Sequence, residues 1–268
     1  MLKQRALSML PMVCLLALFL LPISGSQIYA TDEGPEENLK TSDAIQQQQD
    51  SPVDYTFRGH SLLKKGQIDD AITDLNKAVE LNPKDAGAYF YRGNAYYEKG
   101  QIDKALSDYT KAIKINPRYT NAYFSRGLHY VGVEEYSKAI SDFNDVLSIT
   151  PDNAPAYYYR GAAYFGKKKY KKALSDFDKV IELDPEYVNA YINRGLYYHG
   201  INEYPKAISD YKKALELNPS SPTAKQLLAQ AITDRDLYEQ RMRDNKRVGD
   251  MGVVIRQTRT PPVGQPSQ

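Results

Sequence analysis

The chain has 268 residues, of which 42% are hydrophobic and 25% are charged, and its formal net charge is +2 at pH 7. That composition is ordinary for a soluble protein. The near-neutral charge argues against nucleic-acid binding as the main activity. Tyrosine is the unusual residue, because the chain has 23 tyrosines but only 7 phenylalanines and no tryptophan.

Residues 1–30 have the pattern of a secretory signal peptide. Lys3 and Arg5 give a positive start, an apolar run extends from Leu10 to Ile23, and Ala30 is a small residue before a cleavage site. The run of 14 residues is shorter than the roughly 20 that a membrane-spanning helix needs. The pattern therefore predicts export to the periplasm or the extracellular space, with no stable membrane span after cleavage. The alternative is an uncleaved anchor.

Cleavage would change the charge of the chain and remove its single cysteine. Lys3 and Arg5 are two of 35 basic residues, and the chain has 33 acidic residues, so the mature chain would carry no net charge. Cys14 lies in the apolar run, so the mature chain would have no disulfide and no thiolate. Residues 31–51 are acidic and poor in large apolar side chains, which predicts a disordered linker.

A repeat of 34 residues organises the next part of the chain. Three columns keep this step without an insertion: an Arg-Gly dipeptide that begins at Arg58, an alanine that begins at Ala71 and a proline that begins at Pro83. Each column has five members. The repeat therefore predicts five units, at residues 52–85, 86–119, 120–153, 154–187 and 188–221.

Each unit has the pattern of two helices joined by a turn. In the second unit, Tyr89, Gly93 and Tyr96 are spaced to share one helix face, and Asn116-Pro117 ends a second apolar pattern. A glycine inside a helix costs up to about 1 kcal/mol relative to alanine. Because it recurs in every unit, we expect the partner helix to approach it closely. The predicted helices are residues 86–99 and 102–115.

These units resemble tetratricopeptide repeats. The residues that carry the resemblance in the second unit are Tyr89, Gly93, Tyr96, Ala105, Tyr109, Ala112 and Pro117. The resemblance implies an all-α fold, namely a right-handed solenoid of antiparallel helical hairpins, and a role in binding proteins. It names no partner.

The pattern after the fifth unit predicts one more helix, at residues 222–243. Ser221-Pro222 is a good helix start, and an apolar stripe follows at Ala224, Leu227, Leu228, Ala231 and Ile232. A solenoid exposes a hydrophobic face at its last unit, and a helix of this kind caps it. Residues 244–268 carry scattered basic residues with Gly, Pro, Gln and Ser, which predicts a disordered basic tail.

Two columns of opposite charge recur once in each unit. They predict structural ion pairs between facing helices, because a half-buried arginine without a partner would be costly. The alternative is a basic ladder for an acidic ligand. Whether a pair forms within a unit or between neighbours stays open at this point. The columns are Arg58, Arg92, Arg126, Arg160 and Arg194, and Asp74, Asp108, Asp142, Asp176 and Asp210.

A second stripe on the first helices predicts a ligand-binding groove. Its aromatic side chains offer contact area, and its asparagines offer hydrogen bonds to a peptide backbone. The alternative is that these residues pack against one another between units. A glycan or another small polar ligand is a further alternative, since tyrosine-rich grooves stack on sugar rings. The predicted groove contains Phe90, Asn94, Tyr97, Asn121, Phe124, Tyr158, Phe165, Asn189, Ile192, Asn193 and His199.

No motif in the sequence indicates catalysis, a metal or a cofactor. His60, His129 and His199 lie in the first, third and fifth units, which a solenoid holds apart. No metalloprotease, phosphate-loop or nucleophile-elbow motif occurs. The sequence therefore predicts an exported, non-enzymatic adaptor whose partner is an unidentified protein or peptide and not a nucleic acid.

Overall fold

The computed structural model describes residues 51–258, and the surroundings of the side chains as far as Arg247. This part of the chain contains α-helices and no strand. It belongs to two compact units, which meet in sequence between Leu183 and Asp184. The predicted signal peptide, the linker before Ser51 and residues 259–268 lie outside the described residues.

The first compact unit contains four helical hairpins. Within each hairpin the two helices pack against each other, and the second helix then packs against the first helix of the next hairpin. The helices are α1 (Pro52–Lys64), α2 (Ile68–Leu81), α3 (Ala86–Glu98), α4 (Ile102–Ile115), α5 (Thr120–Gly132), α6 (Tyr136–Ile149), α7 (Ala154–Gly166) and α8 (Tyr170–Leu183). The predicted helices of the second repeat differ from α3 and α4 by one residue at one end.

Side-chain caps fix where several first helices begin. Ser51 accepts a hydrogen bond from the backbone N–H of Asp54, whose carboxylate accepts one from the backbone of Ser51 in return, so the pair forms a capping box. Asp85 and Asn153 cap α3 and α7 in the same way. These caps satisfy backbone donors that the first turn of a helix leaves without a partner.

The recurring mid-helix glycine lies where the two helices of a hairpin meet. A Cβ atom at Gly93 would come within 2.8 Å of the Tyr109 ring and within 3.3 Å of the backbone oxygen of Ala105. Tyr109 is buried in the core together with Ala105 and Ala112. The close approach that the repeated glycine predicts is therefore present, and an aromatic ring occupies the space that a side chain would need.

The turn within each hairpin contains one residue in the left-handed backbone conformation, which is glycine in some repeats and another residue in others. Gly66 and Gly100 adopt it in the first two repeats, with φ of 74° at each. Glu134, Lys168 and Asn202 adopt it at the same place in the later repeats. A Cβ atom makes this conformation unfavourable, so the turns at Glu134 and Lys168 are held by their surroundings, whereas asparagine adopts it more readily at Asn202.

The second compact unit contains the fifth hairpin and a long terminal helix. Its helices are α9 (Val188–Gly200), α10 (Tyr204–Leu217) and α11 (Pro222–Thr258). The apolar stripe of α11 packs on α10, with Ala231 beside Ala207, Ile208 and Tyr211. This is the packing that the predicted cap requires.

The terminal helix is longer than the sequence predicts. The predicted cap ends at residue 243, whereas α11 has 37 residues and continues to Thr258. The predicted disorder of residues 244–268 is therefore wrong for residues 244–258. The physical reason is that no proline occurs between Pro222 and Pro261, so nothing in that segment removes a helical hydrogen bond. Polar composition alone does not end a helix.

Candidate functional site

The two charged columns form five ion pairs, each within one repeat. In every pair the arginine donates from Nε and Nη2 to the two carboxylate oxygens of the aspartate 16 residues later. The Arg126 pair is representative, with distances of 3.0 Å and 2.7 Å to Asp142. This paired geometry joins the first helix of a hairpin to the second.

Three of these arginines also connect neighbouring repeats. The remaining guanidinium nitrogen of Arg92 donates to Asn76, that of Arg126 to Thr110 and that of Arg160 to Asn144. These acceptors also follow the 34-residue step, one unit earlier than the arginine. The column of acceptors was visible in the sequence but was not predicted as a partner of the arginines.

Tyrosine rings cover the guanidinium groups. Arg92 lies 5.3 Å from the ring centre of Tyr89 and 5.8 Å from that of Tyr96. The same contact recurs at Tyr55, Tyr123, Tyr157 and Tyr191. A cation over an aromatic face is attracted by the ring quadrupole. Part of the unusual tyrosine content therefore holds the arginine column in place.

The ion pairs are internal except in the first repeat. Asp142 is 5% exposed and Arg126 is 16% exposed, whereas Arg58 is 49% exposed. Burial raises the pKa of Asp142, although its hydrogen bonds to Arg126 act in the opposite direction. The predicted pairs are present, and their oxygen atoms are occupied by protein donors. A ligand would have to displace these donors.

Most residues of the predicted groove are buried. Phe90, Asn94, Tyr158 and Phe165 in the first compact unit are each less than 10% exposed. Phe90 packs with Tyr91, Tyr109 and Tyr119, and Asn94 accepts a hydrogen bond from the Tyr109 hydroxyl at 2.8 Å. These four residues therefore fit the alternative in which the stripe packs inside the protein. They do not form an open groove.

The second compact unit gives a similar result. Ile192, Asn193 and His199 are buried, and only Asn189 is exposed. His199 lies 2.9 Å from a carboxylate oxygen of Asp234, through its Nε2 atom, so its polar contact is to α11. Its other ring nitrogen, Nδ1, is buried and has no partner among the described residues.

A smaller set of aromatic and polar side chains remains accessible on the first helices. Tyr97, Asn121 and Phe124 from the predicted groove are partly exposed. They are accompanied by residues that the prediction missed: Phe57, His60, Tyr91 and Tyr159. We call these seven residues the first-helix face; they lie on α1, α3, α5 and α7 of the first compact unit.

Ring contacts connect parts of the first-helix face. His60 stacks on Tyr91 with ring centres 4.1 Å apart, and Phe124 packs edge-on against Tyr159 at 5.7 Å. Tyr97 packs edge-on against His129, which is partly buried. Burial raises the pKa of Tyr97 and lowers that of His129. Both side chains are therefore uncharged near neutral pH.

Three of the four missed residues had a signal in the sequence. Phe57, Tyr91 and Tyr159 occupy one column of the 34-residue repeat, directly after the column of Phe90, Phe124 and Tyr158. The two columns differ by one position, which is 100° around a helix. In the second and fourth repeats the earlier column is buried at Phe90 and Tyr158 and the later one stays partly open at Tyr91 and Tyr159.

Two other kinds of site are absent from the described part of the chain. Among residues 51–258, no group of His, Cys, Asp and Glu side chains has the arrangement needed to hold a metal ion. Over the same range, no helix combines the length and the hydrophobicity that would let it cross a bilayer.

Consecutive helical hairpins with a mid-helix glycine, small residues at the crossing and accessible first-helix side chains define a helical-repeat protein of the interaction-scaffold class. Two family models match the chain: "TPR repeat" at residues 59–100 and 93–132, and "Tetratricopeptide repeat" at residues 154–187 and 188–221. The chain belongs to the tetratricopeptide repeat family. The predicted all-α repeat fold is confirmed, and proteins of this family are generally scaffolds and not enzymes.

Solved structures show the same fold. The chain shares 26% sequence identity with MamA, whose crystal structure superposes with a TM-score of 0.57. The match covers 60% of this chain and 94% of the MamA chain. MamA from Desulfovibrio magneticus RS-1 is 23% identical, with a TM-score of 0.59, covering 65% and 98%. YrrB, described as "a TPR protein with an unusual peptide-binding site", is 23% identical, with a TM-score of 0.58, covering 66% and 91%. No functionally curated protein matches the chain.

Proposed function

We propose that the protein is a scaffold that binds a partner protein or peptide on its first-helix face, outside the cytoplasm. The single observation that supports this site is the set of accessible aromatic rings on α1, α3, α5 and α7. Phe57 alone is 72% exposed. Burial of apolar surface is favourable, so exposed aromatic side chains that recur on successive helices favour an interaction site.

The chemistry of the face suits a peptide. Aromatic side chains offer large contact area with few rotatable bonds, and they are common among the residues that dominate binding energy. Asn121 and Tyr97 add polar groups that can exchange hydrogen bonds with a peptide backbone. Because the arginine column is occupied by its aspartates, the attraction comes mainly from buried area. Binding should therefore depend only modestly on salt concentration.

Replacing Tyr97 and Phe124 together by alanine tests the site. We expect partner binding to weaken by about 2–4 kcal/mol, as at other aromatic hot spots. The partner is first isolated by affinity purification with the full chain and identified by mass spectrometry, and its dissociation constant is then measured by calorimetry. The matched control replaces Tyr157 and Tyr164, which lie over Arg160. Equal affinity for the parent and the Tyr97/Phe124 variant, with folding intact, would move the site elsewhere.

The location outside the cytoplasm rests on the first 30 residues. Lys3, Arg5, the apolar run and Ala30 together support a cleaved secretory signal. We expect a mature N-terminus near Thr31, because Ala30 is a small residue at the predicted cut and an acidic segment follows it. Intact-mass measurement of the protein from its native cells checks this. A soluble cytosolic protein that retains Met1 would contradict the proposed location.

A further inference from the structure

The repeat columns that contain the first-helix face have no formally charged residue. In the first compact unit, these are the five columns that pass through Gly87, Phe90, Tyr91, Asn94 and Tyr97 of α3 and recur every 34 residues in α1, α5 and α7. None of their members is Asp, Glu, Lys or Arg, although charged residues make up 25% of the chain. A site for an acidic or basic peptide would need opposite charges here.

Phe57 has an exposed apolar surface that its counterparts in two other repeats partly bury. In the second and fourth repeats, the residue in the same column packs on the preceding repeat: Tyr91 stacks on His60, and Tyr159 contacts Phe124 and Phe143. Phe57 lies in the first repeat, and it is 72% exposed; Val53, one helical turn earlier, is 70% exposed. Among the described residues, no earlier repeat supplies the apolar group that would cover them.

We infer that the partner presents an uncharged, apolar peptide segment, and that one of its large side chains packs on Phe57 and Val53 in the position that a preceding repeat would fill. This rests on the proposed function, since it specifies the ligand of the same face. These columns offer no formal charge to pair with a charged peptide, and the neighbouring carboxylate of Asp85 already accepts a hydrogen bond from Thr56. The apolar pair at Phe57 provides the anchor, and the rings of Tyr91, Tyr97 and Phe124 contact the rest of the segment.

A display library of random peptides, each about twelve residues long, is screened for binding to the full chain. The screen tests the inferred ligand chemistry without knowledge of the natural partner. A parallel screen on the Tyr97→Ala/Phe124→Ala variant identifies the peptides that need the first-helix face. We expect face-dependent peptides with no net charge and at least two large apolar side chains. Face-dependent peptides that are acidic or basic would overturn this inference and leave the proposed function standing. If no peptide depended on the face, both would fail.

Phe57→Lys tests the anchor with one of the selected peptides. A lysine on the uncharged face should weaken binding at least tenfold, whereas Val133→Lys is the matched control, since Val133 is 50% exposed and follows the end of α5. Fluorescence anisotropy gives both affinities, and circular dichroism confirms that both variants are folded. Equal binding by the Phe57→Lys variant and the control would show that the segment does not reach Phe57.

Discussion

Replacing Arg126 with alanine should destabilise the protein by about 3–5 kcal/mol, because the substitution leaves a buried charge without a partner. Asp142 is 5% exposed and loses both of its guanidinium hydrogen bonds. The bond from Arg126 to Thr110 is lost as well, which weakens the connection to the preceding repeat. The measurement is the decrease in the free energy of unfolding, obtained from urea unfolding monitored by circular dichroism.

The first repeat supplies the matched control. Arg58 makes the same paired contact with Asp74, but Arg58 is 49% exposed. Water therefore screens the pair, and Arg58→Ala should cost no more than about 1 kcal/mol. Measuring partner binding by the Arg126→Ala variant distinguishes structural ion pairs from a ladder of arginines that binds an acidic ligand. Unchanged stability of Arg126→Ala together with abolished partner binding would make the arginines a ligand ladder.

Phe143→Ala should also cost about 3–5 kcal/mol, because it removes a fully buried ring and leaves a cavity. Phe143 is 0% exposed, and its ring lies against Gly127, Phe124 and Tyr159. The cavity therefore opens directly beneath the first-helix face. Urea unfolding measures the loss of stability, and the affinity for the partner should fall together with it.

Phe57→Ala is the comparison for this substitution. It removes the same ring from an exposed position, so the unfolding free energy should change by less than about 0.5 kcal/mol. Phe143→Ala should therefore lower both stability and affinity, whereas Phe57→Ala should leave stability nearly unchanged. A large loss of stability at Phe57, or none at Phe143, would contradict the packing described for the first compact unit.

The fold was predictable from the sequence because its period repeats. Gly93, Ala105 and Pro117 recur at one step, and each has a local physical cause: close helix approach, a small residue in the core and a helix end. The ion pairs were predictable for a related reason. Equal columns of Arg and Asp, of which Arg126 and Asp142 are members, lie on facing helices of one hairpin.

The binding surface was less predictable, because it depends on packing between repeats. A helical wheel shows that Phe90 points away from the Tyr–Gly–Tyr face of its own hairpin. It does not show that Tyr119, which precedes the next helix, covers Phe90. Phe57 remains exposed for the same reason, since its cover would have to come from a preceding repeat. Position within a repeat is local information, whereas burial also depends on the neighbour.

The end of the terminal helix was mispredicted for a different reason. The segment after Arg243 is polar and basic, and composition of that kind is common in disordered tails. The segment has no proline before Pro261, and the helix continues through Gly249 and Gly252, which lower helix propensity but remove no backbone hydrogen bond. The absence of a proline therefore allows α11 to continue to Thr258, although its polar composition predicts disorder.

Site-specific photo-cross-linking tests the central claim most directly. A photoreactive phenylalanine analogue is placed at Phe57, Tyr91 or Tyr97 on the first helices, and at Lys111, Lys138 or Lys171 on the second helices, all of which are exposed or partly exposed. We expect the partner to cross-link to the first-helix positions and not to the second-helix positions. Cross-links confined to Lys111, Lys138 and Lys171 would contradict the assignment of the first-helix face as the binding site.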